Sequence, residues 1–280
     1  MQDLVSEAWR LEGPKVERHI GDVAWADASI AGREPEWRRQ LWEEGGAVIA
    51  WGWLYLPHTL DFQLHPERRG LVDDVLDWFE AEAEGDEPLV TSALAEDTAT
   101  IAALERRGYV RVEGGPWFAY MIRDLDELPE PGVPDGFALR AVRGEGDVEA
   151  RANVHRAAWH PSRVTAESHR KVMATYPYRA ELDCVVEAPD GSFVSSVIAW
   201  YDEANHVGEF EPVGTDPRFR RLGLGRAVNL FALHRLRQAG AETAIVLCRG
   251  DDEYPIPKRL YESVGFRQHA RGIEFRKSRI

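Results

Sequence analysis

The chain has 280 residues and a mass of 31.7 kDa; 44% of its residues are hydrophobic, 29% are charged, and the formal net charge is −14. This composition is typical of a folded, globular protein and excludes disorder of the whole chain, and the length predicts two domains. The longest nearly apolar run, residues 47–57, is too short for a transmembrane helix, which needs roughly 20 residues.

Cellular location is predicted from the first residues and from the cysteines. Residues 1–12 carry three acidic side chains and no apolar core, so we expect no secretory signal. Cys184 and Cys248 are too few for a disulfide framework or a four-cysteine metal site, and the histidines lack metal-ligand spacing. We therefore expect a cytoplasmic protein with no metal site and no membrane span.

Charge and aromatic residues are unevenly distributed along the chain. Residues 1–130 hold 12 basic and 28 acidic side chains, a net charge of −16, whereas residues 131–280 hold 22 and 20, a net charge of +2. Such an acidic first half repels a phosphate backbone, so we expect no nucleic-acid binding there. Eight of the ten tryptophans lie in the first 117 residues. The difference predicts two domains with different roles.

The first half predicts alternating strands and helices. A strand pair is followed by a loop with one glycine, a helix, a further strand and a helix that Gly108 ends. The predicted elements are, in chain order, strands 47–56 and 60–64, helix 71–83, strand 89–92 and helix 98–107.

Residues 125–136 are predicted to be a linker. They contain three prolines and two glycines, which do not allow a regular helix or a central strand. This places a domain boundary near residue 130, with one domain at residues 1–130 and the other at residues 131–280.

The second half predicts a meander followed by strand–helix–strand–helix–strand, which is an α+β sheet. The predicted elements are strand 137–142, helix 147–159, strands 184–188, 193–201 and 208–213, helix 225–238, strand 244–248, helix 257–264 and an extended segment from 266 to 276. Pro66 precedes Pro217 by 151 residues and Gly108 precedes Gly265 by 157 residues. This nearly constant offset predicts a duplicated fold.

The strongest functional signal is the segment 213–226, directly after a predicted strand and before a predicted helix. Gly223 and Gly225 allow a ligand to approach the backbone closely, and the helix start offers unpaired N–H groups. Three arginines add positive charge: Arg220, Arg221 and Arg226. The segment lacks both the Gly-Lys-Ser/Thr of a Walker loop and the third glycine of a dinucleotide-binding loop. It therefore predicts a site for a pyrophosphate.

Two motifs in this half resemble those of the GNAT acetyltransferase superfamily. Arg220-x-x-Gly223-x-Gly225 is similar to that family's Arg/Gln-x-x-Gly-x-Gly/Ala signature, and Leu260-Tyr261-x-x-x-Gly265-Phe266 is similar to its later Leu-Tyr-x-x-x-Gly-Phe motif. The resemblance covers residues 137–276. With a weaker first copy, the chain resembles tandem GNAT proteins of the mycothiol synthase type. The implied fold is two tandem GNAT-like domains, each a mixed, largely antiparallel twisted sheet flanked by helices.

The resemblance implies acetyl-CoA as co-substrate. Main-chain groups of Val213 and Thr215 are expected to hold the pantetheine arm. The pyrophosphate is expected on the loop residues Arg220, Arg221, Leu222, Gly223, Leu224, Gly225 and Arg226. The chain departs from many relatives at Tyr254, where they have an asparagine that contacts CoA, and at Pro257, which can open a helix at its first turn.

Acyl transfer to an amine needs a proton acceptor for the amine and a proton donor for the leaving thiolate. Tyr261, with an ordinary pKa of about 10, is a suitable donor. Glu209 and Glu211 precede the loop on one strand, and period two puts them on one face. The family's spacing implies Glu209 as the base, while Glu211 is an alternative base or an anchor for the amine.

The first half is not expected to catalyse the reaction. Its loop keeps only Gly70, Asp73 and Asp74 fall where the next helix begins, and Leu104 stands at the position that matches Tyr261. This half either supports the fold or supplies an acidic, tryptophan-rich wall to the substrate cleft. Such a wall would suit a cationic amine.

These features predict an N-acetyltransferase that moves an acetyl group from acetyl-CoA to the primary amine of a small molecule by direct attack in a ternary complex. No cysteine is placed near the loop to form an acyl-enzyme. The alternatives are an enzyme that uses another acyl-CoA or a protein amine, and an acyl-CoA-binding sensor or scaffold without turnover.

Overall fold

The computed structural model describes residues 1–29 and 32–279, and within them it contains eight α-helices and twelve β-strands. The helices, numbered α1 to α8 in chain order, are Gln2–Glu12, Ile20–Ala28, Val72–Glu82, Thr98–Arg106, Val148–Ala158, Ala166–Ala174, Leu224–Ala239 and Ile256–Ser263. The strands, numbered β1 to β12, are Trp37–Glu44, Ala47–Tyr55, Thr59–Leu64, Leu89–Leu94, Val110–Arg111, Phe118–Asp124, Ala138–Ala141, Asp183–Glu187, Phe193–Asp202, Val207–Thr215, Thr243–Arg249 and Arg267–Lys277.

The strands form one mixed sheet in the order β1-β2-β3-β4-β12-β6-β11-β10-β9-β8-β7, with the short β5 paired to β12. Only two of the pairings, β3 with β4 and β10 with β11, are parallel among the described strands. Helices flank the sheet, and the apolar core is divided between a cluster under α7 and α8 and a cluster under α3 and α4. The predicted α+β class of two tandem, largely antiparallel sheets with flanking helices is confirmed; the two sheets are joined into one because β12 pairs with both β4 and β6.

Strands are exchanged between the two predicted domains. Strand β6, from the first half, lies between β11 and β12. The first part of β12, from Arg267, pairs with β6, and its last part, Gly272 to Lys277, pairs with β4. No helix or strand lies between Asp124 and Ala138, where the linker was predicted. The boundary near residue 130 stays a prediction.

The order of elements is the same in the two halves. In the first, β2, β3, α3, β4 and α4 follow one another, and in the second, β9, β10, α7, β11 and α8 do so. A short 3₁₀ turn precedes the longer helix in each half, at Pro66–Leu71 and at Pro217–Phe219. The predicted strands and helices of both halves are present, with ends that differ by a few residues.

Helix α7 illustrates how sequence determines these elements. Gly223 stands before the helix with a φ of 78°, and Gly240 stands after it with a φ of 106°; both angles favour glycine. One face of the helix packs Leu224, Val228 and Leu236 into the core beneath the sheet. Glycine at each end and an apolar face between them explain why this helix was predictable.

Several elements had no counterpart in the predictions: α1, α2, β1, α6, β5 and β6. Helix α2 is the most important, because it reaches the second half and contacts both β9 and β10. Within the described residues, no helix combines the length and the apolarity that crossing a bilayer requires.

Candidate functional site

A cleft opens where two parallel strands of the second half separate. Strands β10 and β11 pair only from Val207 to Glu209 within the described chain. Beyond that point a bulge between Phe210 and Val213 turns β10 away, and β11 continues beside β6. One edge of residues 213–215 is thus left without a neighbouring strand, so its backbone groups are free to bind a ligand.

The loop that follows β10 is shaped by its own side chains. Asp216 accepts a hydrogen bond from the backbone N–H of Arg218 at 2.9 Å and pairs with its guanidinium at 2.6 Å. Gly225 lies against the end of β10, since a Cβ there would come within 3.2 Å of Thr215 Oγ1 and 3.6 Å of Leu260 Cδ2. The absence of a side chain at this position therefore lets β10, α7 and α8 converge.

The loop carries unpaired positive charge. The remaining loop arginines, Arg220, Arg221 and Arg226, are exposed, and none forms an ion pair with another described residue. They stand beside the first turn of α7, whose N–H groups have no helical partners. The arrangement suits a pyrophosphate, which carries several anionic oxygens.

The cleft has a volume of about 800 Å³ and contains most of the residues predicted to bind the cofactor. Those that line it are Val213, Thr215, Arg220, Arg221, Gly223, Leu224, Gly225 and Arg226. Leu222 does not line it and is 47% exposed. Tyr254 and Pro257, where the chain departs from many relatives, both lie on the cleft wall.

Tyr261 lies on α8 at the inner end of the cleft. It is buried, and its ring packs edge-on against Phe266 with 5.8 Å between centroids. Burial, reinforced by Cys248 and Glu211, raises the pKa of Tyr261 well above its ordinary value. The hydroxyl therefore keeps its proton at neutral pH, as a proton donor to a strongly basic leaving group requires.

The two glutamates of β10 occupy different positions. Glu211 lines the cleft, and its backbone carbonyl accepts a hydrogen bond of 2.6 Å from the indole Nε1 of Trp200. Glu209 lies behind it, 3% exposed, with Oε2 3.1 Å from Nδ1 of His19. Burial raises the pKa of Glu209 to about 7, and burial with the charges of Asp22 and Glu209 raises the pKa of Glu211 to about 8.

Sequence reasoning missed the contribution of helix α2 to this site. Gly21 packs so closely that a Cβ there would lie 2.4 Å from Trp200 Cγ and 2.7 Å from Glu209 Oε2. Asp22, one residue later, lines the cleft, and its Oδ2 accepts a hydrogen bond of 2.8 Å from the backbone N–H of His19. The three-residue spacing of His19 and Asp22 at a helix start resembles a capping box and is the signal that could have located this helix.

The first half also supplies an aromatic and charged wall to the cleft. Trp51 and Trp53 lie two apart on β2 and are 1% and 2% exposed. Both line the cleft, and each indole N–H lacks a hydrogen-bond partner within the described chain. Nη2 of Arg18 pairs with Oδ1 of Asp61 at 2.7 Å on the same wall.

The equivalent position in the first half is closed. The space beside the ends of β3 and β4 has a volume of about 50 Å³. Arg69 of its loop is bound by both carboxylate oxygens of Glu12, at 2.6 and 2.8 Å, and Arg68 is bound by Glu44 at 2.7 Å. Leu104, which matches Tyr261, is fully buried.

Comparison with known proteins agrees with this geometry. The model of the acetyltransferase (GNAT) family matches residues 151–266. A mycothiol acetyltransferase of Geodermatophilus obscurus is 30% identical over 220 residues, which are 76% of this chain and 70% of the relative. A mycothiol acetyltransferase of Thermomonospora curvata is 34% identical over 179 residues, 61% of this chain and 57% of the relative. The chain spans about half the length of several other curated relatives that it matches.

A solved structure shares the complete fold. The tandem GNAT protein from the clavulanic acid biosynthesis pathway superposes with a TM-score of 0.64 over 99% of this chain and 94% of its own, at 14% sequence identity. That likeness shows the fold. The family model and the Geodermatophilus obscurus relative show that the chain belongs to the GNAT acetyltransferase family, among tandem members similar to mycothiol acetyltransferase.

Proposed function

We propose that the protein is an acetyl-CoA-dependent N-acetyltransferase with one working site, in its second half. The observation that carries the proposal is the convergence, in one cleft of about 800 Å³, of an unpaired strand edge, an arginine-rich helix start, Tyr261 and buried carboxyl groups. The two ends of the cleft have the chemistry that the two substrates need: positive charge for a nucleotide and carboxyl groups for an amine.

Acetyl-CoA binding is assigned to the loop and to the strand edge. The pyrophosphate would contact the N–H groups of residues 223–225 and the free arginines. The pantetheine arm would lie beside β10 and form hydrogen bonds with the backbone of Val213 and Thr215. Such an arm delivers the thioester toward Tyr261 and Glu211, which both line the cleft.

The chemical step is assigned to direct attack by the amine. A carboxylate first takes one proton from the ammonium, and the neutral amine nitrogen bonds to the thioester carbon. The C–S bond then breaks, Tyr261 gives its proton to the leaving sulfur, and the second proton that the nitrogen loses as the amide forms restores the Tyr261 hydroxyl. Cys248 lines the same cleft as the loop, although the sequence was expected to place no cysteine near it. Its thiol is a poor nucleophile, because burial raises its pKa to about 12. This supports a ternary complex over an acyl-enzyme.

The acceptor is proposed to be a small-molecule primary amine. The relatives' name makes a mycothiol-related amine the first candidate. Asp22 and Glu211 on the cleft wall favour an acceptor that arrives as a cation. The proposal includes a cytoplasmic location, which the two free, buried thiols support, and a division of labour between residues 1–130 and residues 131–280.

The test is acetyl transfer from acetyl-CoA to a panel of amines: mycothiol with its acetyl group removed, glucosamine, glycinamide and putrescine. Mass spectrometry detects the acetylated product, and chromatography measures free CoA without interference from thiol acceptors. We expect equal amounts of product and CoA with at least one amine. Tight CoA binding with no transfer across the panel would instead favour a sensor.

A further inference from the structure

The first half places an ionisable side chain beside the two glutamates of β10. Asp22 of α2 lines the same cleft as Glu211, and the charges of Asp22, Glu209 and Glu211 influence one another. Gly21 packs closely against Glu209 and Trp200, and this contact holds the start of α2 against β9 and β10. Asp22 is therefore held in the cleft by backbone contact as well as by its own side chain.

Other buried groups in this part of the cleft indicate that it receives a polar ligand. The indole N–H groups of Trp51 and Trp53 have no acceptor within the described chain, although both residues are more than nine-tenths buried and line the cleft. Nε of Arg18, which also lines the cleft, lacks a hydrogen-bond partner there too. A buried N–H group without an acceptor costs free energy, so we expect a bound polar ligand to supply the missing acceptor.

We propose that Asp22 is a catalytic residue: with Glu209 and Glu211 it forms the group that takes the proton from the acceptor ammonium. This inference rests on the proposed N-acetyltransferase function and assigns part of its catalytic centre to the first half. The ammonium would lie between Asp22 and Glu211, which face the cleft, and its N–H proton would pass to one of their carboxylate oxygens. The neutral amine would then attack the thioester.

Three neighbouring carboxyl groups make a better proton acceptor than one exposed carboxylate. Burial, followed by the charge of Glu209, raises the pKa of Asp22 to about 8. A carboxylate of that basicity takes a proton from an ammonium ion far more readily than one with a pKa of about 4. The other titratable or charged groups that interact with the cluster are Arg18, His19, Tyr55, Asp61, Tyr120 and Tyr261.

Asp22 also has a structural role, which the test must separate from catalysis. Its carboxylate accepts a hydrogen bond from His19 at the start of α2. An asparagine can accept the same bond through its amide oxygen but cannot take up a proton. A serine can do so too, as Ser168 shows in the matching position of α6, where it accepts from the backbone N–H of Thr165 at 2.9 Å.

The experiment compares the wild type with Asp22→Asn and Asp22→Ser, and uses the panel amine with the highest kcat/KM as the probe. Circular dichroism and CoA calorimetry confirm folding and an intact cofactor site. We expect kcat/KM for the amine to fall at least tenfold near pH 8 in both variants. The acid limb of the pH profile should also move to lower pH, because Glu211 ionises more readily without its negative neighbour.

The matched control is Asp27→Asn on the same helix. Asp27 is exposed and pairs with Arg39, so this variant should keep the wild-type rate and pH profile. An unchanged rate and an unmoved acid limb in both Asp22 variants, with an active wild type, would overturn the inference and leave the proposed function standing. A wild type that transfers no acetyl group would defeat the proposed function itself, and this inference with it.

Discussion

The two halves share one arrangement of strands and helices, yet within the described residues the second has a wide cleft where the first has a small space. The spaces beside the separating strands measure about 800 Å³ in the second half and about 50 Å³ in the first. In the first half, Glu12 at the end of α1 binds Arg69, and Asp97 binds the same guanidinium at 3.1 Å. In the second half the corresponding arginines are free to bind an anion.

The comparison shows that side-chain charge, rather than backbone topology, distinguishes a nucleotide site from a closed surface. The first turn of α3 carries Asp73 and Asp74, while α7 begins with Gly225 and Arg226. Two carboxylates at a helix start compete with a phosphate for the same N–H groups and positive dipole end. A carboxylate that already binds the loop arginine also competes with a phosphate. In the first half, the protein's own carboxylates therefore occupy the positions where an anion would bind.

The largest expected effect concerns Tyr261, the proposed proton donor of the second half. Tyr261→Phe keeps the buried ring and removes the hydroxyl, so kcat should fall roughly 100-fold, the low end of general-acid contributions. The KM for acetyl-CoA should change little, because the hydroxyl acts mainly in the transition state. Steady-state kinetics at saturating amine measures both.

The matched variant in the first half is Leu104→Met, which conserves volume in a buried position and should leave kcat unchanged. An unaltered kcat in Tyr261→Phe, where chemistry limits turnover, would remove Tyr261 from the mechanism.

The next prediction separates the two glutamates by pH. A base works only when ionised, so wild-type kcat/KM for the amine should decline as the pH falls below about 8 and further below about 7. Above the pKa of the acceptor, about 10.4 for an ordinary alkyl ammonium, the amine arrives neutral and needs no base. Loss of the base should therefore lower kcat/KM for the amine most between about pH 7 and about pH 10.4, by at least tenfold.

Glu211→Gln and Glu209→Gln are the variants to compare across this range. Because Glu211 faces the cleft and Glu209 lies behind it against His19, we expect the larger decrease for Glu211→Gln. A larger decrease for Glu209→Gln would return the base to the position that the family spacing implies. Equal rates for all three proteins would show that neither glutamate is needed as the base.

The cofactor loops offer a matched pair of glycines. Gly225→Asp places a side chain and a negative charge where β10, α7 and α8 converge, and should weaken CoA binding at least tenfold, about 1.4 kcal/mol. Gly70→Asp, at the open position of the first loop, should leave affinity and a stoichiometry of one CoA per chain unchanged. Isothermal calorimetry reports both quantities. Equal losses in the two variants would mean that both loops bind CoA.

The smallest effect concerns the ion pair that closes the first half. Glu12→Gln removes the charge that Arg69 binds, and the free energy of unfolding should fall by about 0.5 to 1 kcal/mol, as for a partly exposed pair. Urea unfolding measures the change, with Glu44→Gln as the more exposed control. CoA stoichiometry should stay at one, since Asp73 and Asp74 remain at the helix start. Binding of a second CoA would show that Glu12 alone blocks the site.

Local motifs made the proposed cofactor-binding part of the site predictable from sequence. The part that is proposed to bind the amine depends on long-range contacts, which the sequence does not reveal. The loop from Arg220 to Arg226 and the Tyr261 motif are continuous in sequence, and glycine at a helix start has a direct backbone reason. Asp22 and Glu209 meet only after folding, and no spacing in the chain connects them. The sequence could predict that the first half supplies an acidic, tryptophan-rich wall to the cleft, but not which residues form it.

The same distinction applies to the fold. Helix α7 has an apolar face and glycine at both ends, so its bounds follow from sequence. Strand β6 is a run of mostly apolar residues, which predicts burial without naming its neighbours. Its position between β11 and β12 depends on partners far along the chain.

The shared last strand has a consequence for biogenesis. Because β12 completes the sheet of the first half, β4 cannot acquire that neighbour until residues 272–277 have left the ribosome. Co-translational folding of the N-terminal part therefore pauses with an exposed sheet edge, a state that invites association with other chains. A stop codon before residue 272 would leave this edge of β4 permanently uncovered.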